Sequence, residues 1–489
     1  MSLVSTQYGL FLVLVCTLCW LAPARTFPVL ILGASAAFYA LGDLIHLPLL
    51  AMVVLVSYRG ARLLSSRSLT HENTAAQEER RPTSRGARAM RKYGPTGARK
   101  EAAAPAAEQP GKPIGLLWMC ILLLLAPLVY YKLIRPGEIP VGISFFTLQA
   151  IGYVVDVYRE EAALLASFPL YASFLAFFPL VLSGPIERAS HLIPQLVKRG
   201  EAQVTRGVFL ILSGIVLKCV VADNLAKFVN TVYSDVTHQA AGSVLLACYF
   251  YAVQIYCDFH GYTLIAIGSA SLLGISLVRN FDHPYLASNI LAFWSKWHIS
   301  LTSWLRDYVY FSLGGLRRPL NRYRNLLVTW LVTGLWHGVG VTFAMWGMMH
   351  FVALACYHFG RSIRHGAAPL ARPMKSACTV LGWLATFHFV VLSWIPFRSE
   401  SWVQTRVVFG KVMEAATHLS SFPAADSTTV FLFRIVVAFI LFEVLDWLFG
   451  AEKLFLGAPV AVQAMWLALL CCAFYFAPMT GVKFVYAQF

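Results

Sequence analysis

The stretch from Asn325 to Phe351, NLLVTWLVTGLWHGVGVTFAMWGMMHF, places a histidine inside a run apolar enough to cross a bilayer. Between Arg324 and His350, His337 is the one side chain that titrates near neutral pH. An ionisable group at membrane depth is costly and commonly marks a functional site, and histidine can take and return a proton. The stretch predicts a catalytic histidine, with a structural histidine bonded to a neighbouring helix as the alternative.

The composition of the whole chain is that of a membrane protein. Hydrophobic residues make up 58% and charged residues 13% of the 489 residues, and the mean hydropathy is +0.65. Soluble domains contain about 25% charged residues. We predict an all-α polytopic integral membrane protein with about eleven transmembrane helices and some interfacial or re-entrant helices. Two of the predicted spans are 241–257 and 261–277.

The chain divides into three predicted regions. Residues 1–58 read as N-terminal transmembrane helices, and because Met1 to Tyr8 has no Lys or Arg, we expect a first helix rather than a signal peptide. Residues 59–112 contain twelve basic and five acidic side chains, a net +7 out of +16 for the chain. This composition predicts a disordered loop, placed in the cytoplasm by the positive-inside rule, with the N-terminus extracytoplasmic. Residues 113–489 form the predicted catalytic core.

Metal and nucleotide sites are not indicated by the sequence. Cys16 and Cys19 form a CxxC unit that stands by itself in an apolar run, and no Cys/His group has zinc-ligand spacing. Neither a P-loop nor a GxGxxG motif occurs. The basic residues of 59–112 lack the aromatic platforms of nucleic-acid binding. We therefore expect no bound metal or cofactor and no nucleic-acid partner.

A second unusual stretch, 280–324, mixes aromatic and charged side chains as segments at a membrane–water interface do. It contains Trp294, Lys296, Trp297, His298, Trp304, Arg306, Asp307, Tyr308 and Tyr310. An amphipathic helix that only anchors the protein is one interpretation. The other is that the Trp-rich segments around His298 and His337 fold back on each other and bring both histidines to one cavity.

Further polar residues interrupt apolar runs. Asp156, Asp223 and Asp258 could cap helices or pair with basic side chains. Glu187 and Arg188 follow a proline that should break a helix, and irregular backbone at membrane depth is stable only against protein or a water-filled cavity.

An ordered series of motifs covers most of the chain. It comprises PVGISFFTLQ at 140–149, DVYR at 156–159, GPIER at 184–188, VADN at 221–224, QIYCDF at 254–259, WHIS at 297–300, RDY at 306–308, GLWHG at 334–338, WIPFR at 394–398 and FVYAQF at 484–489. This series resembles the membrane-bound O-acyltransferase family, in the branch of bacterial alginate O-acetyltransferases. Two departures from the branch pattern concern the acceptor surface: His260 stands where the branch commonly has serine, and Leu264 where it has aspartate.

The resemblance implies a ring of helices around a central tunnel, with His337 matching the catalytic histidine and His298 the second histidine. Residues expected to line the tunnel or contact substrate are Trp336, Trp297, Asp258, Asn280, Arg306, Asp307, Glu187 and Arg188.

The resemblance also implies transfer of an acyl group, acetyl from acetyl-CoA, across the bacterial inner membrane toward hydroxyls of an extracytoplasmic polysaccharide. The expected partners are the acyl donor, the lipid bilayer and an extracytoplasmic transferase protein that accepts the acyl group. Transfer of D-alanyl from a carrier protein to a cell-envelope polymer is an alternative. A multi-pass transporter or flippase is an alternative of another class, although no internal repeat is visible in the sequence.

Overall fold

The computed structural model describes residues 2–75, 113–314, 319–363, 372–418 and 426–478, and the regular elements in these ranges are helical, as the sequence predicts. The α-helices are α1 (Thr6–Leu21), α2 (Phe27–Asp43), α3 (Leu47–Ala75), α4 (Ile114–Leu133), α5 (Ile143–Tyr158), α6 (Phe168–Leu175), α7 (Phe178–Val181), α8 (Ala189–Val197), α9 (Val204–Ile215), α10 (Asp223–Ser234), α11 (Ala241–Leu272), α12 (Ile290–Trp294), α13 (Ile299–Leu305), α14 (Pro319–His337), α15 (Val341–Ile363), α16 (Arg372–Arg398), α17 (Trp402–Thr417), α18 (Ser427–Phe449), α19 (Ala451–Gly457) and α20 (Val460–Ala473). Two π-helical segments, Val216–Ala222 and Arg306–Tyr310, continue α9 and α13.

Seven helical stretches of the described residues are long and apolar enough to span a membrane. They are Ala24–Ser65, Ile114–Leu133, Val204–Ser234, Ala241–Leu272, Val341–Ile363, Ser376–Arg398 and Ser427–Phe449. Other apolar helices, including α1 and α5, have 10–17 residues, which is short for a bilayer of about 30 Å. The protein is thus a multi-pass membrane protein, and the count of about eleven crossings stays a prediction.

Two sequence-based boundaries are wrong. The predicted spans 241–257 and 261–277 are replaced by one continuous helix, α11, which ends at Leu272, because Gly261 serves close helix packing there and does not end the helix. The predicted loop 59–112 begins too early, because α3 continues to Ala75. Residues 76–112 and the terminal motif at 484–489 lie outside the described residues.

Helices α9 and α11 approach each other through glycines. A Cβ atom on Gly214 would lie 2.5 Å from the carbonyl oxygen of Gly261, and a Cβ on Gly261 would lie 2.6 Å from that of Gly214. Small residues at such crossings let two backbones come close where lipid supplies no hydrophobic driving force. The packing fixes α11, whose Phe259 ring contacts that of His298 at 4.6 Å between centroids.

Helices α14 and α15 form a tight hairpin, in which glycines again let the two backbones come close. A Cβ on Gly334 would lie 2.4 Å from the carbonyl oxygen of Phe343, and a Cβ on Gly347 would lie 2.4 Å from that of Trp330. The hairpin turns just after His337, the last residue of α14. The close approach therefore decides which part of α15 faces this histidine.

We expect Gly347→Ala to destabilise the protein. The added methyl group would force the backbones of α14 and α15 apart, and overpacking of this kind costs about 1–3 kcal/mol. The measurement is the thermal midpoint of the purified protein in detergent.

The matched control is Gly360→Ala on the same helix, where an added Cβ meets no atom within 4 Å. Alanine favours helix over glycine, so this variant should melt no lower than the parent. Equal midpoints for Gly347→Ala and Gly360→Ala would contradict the close-packing account.

Candidate active site

His337 lies at the end of α14 inside an aromatic enclosure. Its side chain is 4% exposed. The centroid of its ring lies 4.7 Å from that of Trp336, 5.1 Å from that of Trp346 and 5.0 Å from that of Phe397. These neighbours come from α14, α15 and α16, so three helices together hold the imidazole in an apolar setting.

His298 is held by a polar anchor. It precedes α13 with φ of +42°, a left-handed conformation unusual for a residue other than glycine. Its Nδ1 donates to the amide oxygen of Asn280 at 3.1 Å, and that oxygen also accepts from the Ser300 amide at 3.1 Å and hydroxyl at 2.9 Å. Because Nδ1 carries the proton, the lone pair of the neutral ring is on Nε2.

Trp336 lies between the two histidines. Its ring centroid is 6.1 Å from that of His298 and 4.7 Å from that of His337. Phe145 from α5 closes one side of the group, with its ring 6.0 Å from Trp336. The structure thus brings together His298, His337, Trp336 and Asn280 from the sequence-based set, and their roles stay predictions.

Trp297 belongs to the surrounding aromatic wall. Its ring contacts that of Trp394 at 5.1 Å, and Trp394 stacks on Trp346 at 6.0 Å. His350 is not among the residues predicted from the sequence, and its Nδ1 accepts a hydrogen bond of 3.2 Å from the Trp294 indole. The signal was its position on α15, one helical turn after Trp346.

Several indole N–H groups of this wall have no hydrogen-bond partner among the described residues. They belong to Trp336, Trp346 and Trp394. Buried indole N–H groups usually find a partner, and an unsatisfied one calls for an explanation. The enclosure therefore offers donors that an oxygen atom of a bound substrate could use.

Comparison with known proteins gives the family. The model of the membrane-bound O-acyltransferase family matches residues 158–395. A probable alginate O-acetylase of Pseudomonas putida is 33% identical over 67% of this chain and 67% of its own length. The chain belongs to the membrane-bound O-acyltransferase family. A probable alginate O-acetylase of Pseudomonas aeruginosa is 37% identical over 54% of this chain, and a peptidoglycan O-acetyltransferase of Helicobacter pylori is 35% identical over 54%.

The chain spans about half the length of the Pseudomonas aeruginosa relative, since the match covers 49% of that protein. His298 and His337 both lie inside the family-matched region. The two histidines of the enclosure therefore belong to the part of this membrane-bound O-acyltransferase that the family model matches.

Asp258 takes part in a buried ion pair. The Asp258 carboxylate pairs with the Lys218 ammonium at 2.8 Å, and the same ammonium pairs with Asp223 at 2.5 Å. All three side chains are buried. Asp258 thus belongs to a buried ionic group, and its neighbour Phe259 is the residue that touches His298.

Another polar group lies farther along the helical run that starts after His298. It consists of Arg306 and Asp307 on that run and of Arg188, which precedes α8. Asp307 accepts from Arg306 at 2.9 Å and from Arg188 at 3.1 Å, and the Arg188 guanidinium lies 4.2 Å from the ring centroid of Tyr308. Nine residues at about 1.5 Å each separate Asp307 from His298, or about 14 Å along the axis. Arg188 and Tyr308 line a crevice that also involves Glu187.

Glu187 joins two backbone segments. Its carboxylate accepts a 2.7 Å bond from the Val278 amide and a 2.7 Å bond from Nδ1 of His191. The hydrogen bond to Glu187 raises the pKa of His191. Glu187 thus ties the start of α8 to the segment that follows α11 in this membrane-bound O-acyltransferase, and its predicted contact with substrate stays a prediction.

We expect Asp258→Asn to lower the thermal midpoint because it leaves the buried Lys218 ammonium with one carboxylate fewer. Removing a partner from a buried ion pair costs about 3–5 kcal/mol. The comparison is Asp282→Asn, which removes a partly exposed pair with Lys296 at 3.4 Å and should change the midpoint little. An Asp258→Asn protein with an unchanged midpoint and a raised KM would show that Asp258 binds substrate instead.

Proposed function

We propose that the protein transfers an acyl group, acetyl from cytoplasmic acetyl-CoA, toward hydroxyls of an extracytoplasmic polysaccharide such as alginate or another surface glycan. The observation that carries the proposal is the placement of His298 and His337 on Trp336 inside a buried enclosure of the family-matched region. The similarity to alginate O-acetylases and to a peptidoglycan O-acetyltransferase supports an acetyl group and a polysaccharide. D-Alanyl transfer is the alternative.

The chemistry requires a base at the reacting hydroxyl. The hydroxyl oxygen attacks the thioester carbonyl carbon and gives its proton to His337, acting as general base. The C–O ester bond forms, the C–S bond breaks, and the proton passes from the imidazolium to the departing thiolate. The base must be neutral at the start, which the apolar enclosure of His337 favours because desolvation disfavours the charged ring.

His298 has a complementary task. With its Nδ1–H bonded to Asn280, its Nε2 can accept a hydrogen bond from a second donor of the acceptor substrate, such as an amide N–H, and so orient the reacting hydroxyl toward His337. The buried indole N–H of Trp346 can donate to the oxyanion that forms at the carbonyl. Such preorganised donors are most effective where water is excluded.

The proposal includes the surroundings of the site. The helices surround a tunnel in the bacterial inner membrane, and donor and acceptor reach the enclosure from opposite faces. Helices α3 and α4 flank residues 76–112 in sequence, and the net +7 of residues 59–112 favours the cytoplasmic side. This orientation places the N-terminus outside.

We expect His337→Ala to abolish acetyl transfer while the protein still inserts and purifies as one species. Loss of a general base costs about 10²–10⁴ in rate. His298→Ala should lower the rate by a smaller factor, because its role is orientation. The measurement is transfer of label from radiolabelled acetyl-CoA in proteoliposomes that contain the extracytoplasmic transferase.

The control is His388→Ala on α16, where the histidine is exposed and full activity is expected. Near-normal transfer by a well-folded His337→Ala protein would refute the assignment. Activity only with a D-alanyl carrier protein, and none with acetyl-CoA, would favour the alternative donor.

The acyl group is proposed to pass first to a partner protein. A polysaccharide would have to shed its hydration to enter the aromatic enclosure, and each unsatisfied hydroxyl costs about 1–3 kcal/mol to bury. A sugar carries several such groups. A serine hydroxyl on an extracytoplasmic transferase, presented at the outer mouth of the tunnel, avoids this cost.

We therefore expect the purified protein with acetyl-CoA and soluble oligosaccharide to yield little acetylated glycan unless the partner transferase is added. Acetylated product can be quantified by mass spectrometry, with the His337→Ala protein plus partner as the blank. Efficient glycan acetylation by the protein without its partner would show that the relay is wrong.

A further inference from the structure

Lys132 is a cation near the end of an apolar span. It lies on α4, one residue before the helix ends at Leu133, and its side chain is half-buried. The ion pairs of the described residues do not include it. A partly desolvated ammonium without a carboxylate is costly in such a segment. Its position therefore calls for another source of stabilisation.

The ammonium of Lys132 binds the carboxyl end of α14. Nζ donates to the main-chain carbonyl oxygen of Trp336 and lies 3.3 Å from that of His337. It also lies 5.7 Å from the centroid of the Trp336 ring. The last carbonyl groups of a helix have no donor within the helix, and a cation at this end is favourable for the helix dipole.

This contact joins two parts of the fold. Helix α4 packs against α3 and α5, whereas His337 ends a helix that packs against α15. The chain after His337 continues with Gly338 and Gly340, which restrict the backbone least of all residues. Without an external donor, the last turn of α14 would be held mainly by its own hairpin.

We propose that Lys132 is a positioning residue of the active site. By holding the carbonyl oxygens of Trp336 and His337, it sets the imidazole against the rings of Trp336 and Trp346. The inference rests on the proposed role of His337 as general base. Lys132 acts through the backbone and the indole and does not contact the reacting atoms. A misplacement of about 1 Å can cost about 10²-fold in rate, so a small shift of this turn would be measurable.

The test is Lys132→Met, which keeps a long apolar stem and removes the charge and the donors. We expect kcat for acetyl transfer from radiolabelled acetyl-CoA, with the partner transferase present, to fall about 10–100-fold, with little change in KM. Lys132→Arg should recover most of the activity, because guanidinium keeps the charge and can donate to both carbonyls.

The matched control is Arg135→Met. Arg135 follows the same helix end but is exposed and pairs with Glu138 at 3.0 Å, so kcat should be that of the parent. If Lys132→Met does not purify, Lys132→Gln replaces it. The glutamine amide retains a hydrogen-bond donor but lacks the charge, and because the charge is lost, kcat should also fall.

The outcomes separate the alternatives. Parental kcat in Lys132→Met would overturn the inference, as would equal losses in the Met and Arg variants, which would indicate that Lys132 itself accepts the acyl group. A loss explained fully by a lower fraction of folded protein would also overturn it. An active His337→Ala protein, measured in parallel, would instead refute the proposed function on which the inference rests.

Discussion

The structure depends on the cost of polar groups that are removed from water among apolar helices. Such a group is stable only when another protein group satisfies it. The protein meets this constraint in three ways. Lys218 is shared by the carboxylates of Asp223 and Asp258, His298 is anchored on Asn280, and the carbonyl oxygens at the end of α14 receive the ammonium of Lys132. Each solution fixes a helix end or a helix pair next to the enclosure.

The enclosure itself both holds His337 among packed rings and supplies hydrogen-bond donors for the reaction. Aromatic rings from α14, α15 and α16 exclude water from His337, and the close approach of α14 and α15 at Gly334 and Gly347 keeps these rings in contact. A neutral base is favoured in such surroundings, and the unsatisfied indole N–H groups are the donors that a developing negative charge would need. The packing of these helices and the proposed chemistry therefore both require that the aromatic rings stay in contact around His337.

Much of the candidate site follows from patterns in the sequence. His337 is indicated because it is an ionisable side chain in a run apolar enough to cross a bilayer. The mixture of aromatic and charged residues in 280–324 indicates the segment that carries His298. The convergence of His298 and His337 on Trp336 could be stated only as a possibility, because it depends on how two helical segments fold back. The polar partners of Glu187, Arg188, Asp258, Arg306 and Asp307 could not be read from the sequence, and their contact with substrate stays a prediction.

The sequence by itself determined the class of the protein, since composition and the length of apolar runs leave few alternatives to a helical membrane protein, and its ordered motifs indicated the family. Only the tertiary structure decided that 241–272 is one helix, that Asp258 serves Lys218, and that Lys132 reaches the end of α14. The physical reason is that hydrophobicity is a local property that the sequence displays. The pairing of polar groups joins residues as distant as 132 and 337, and it exists only once the helices are packed.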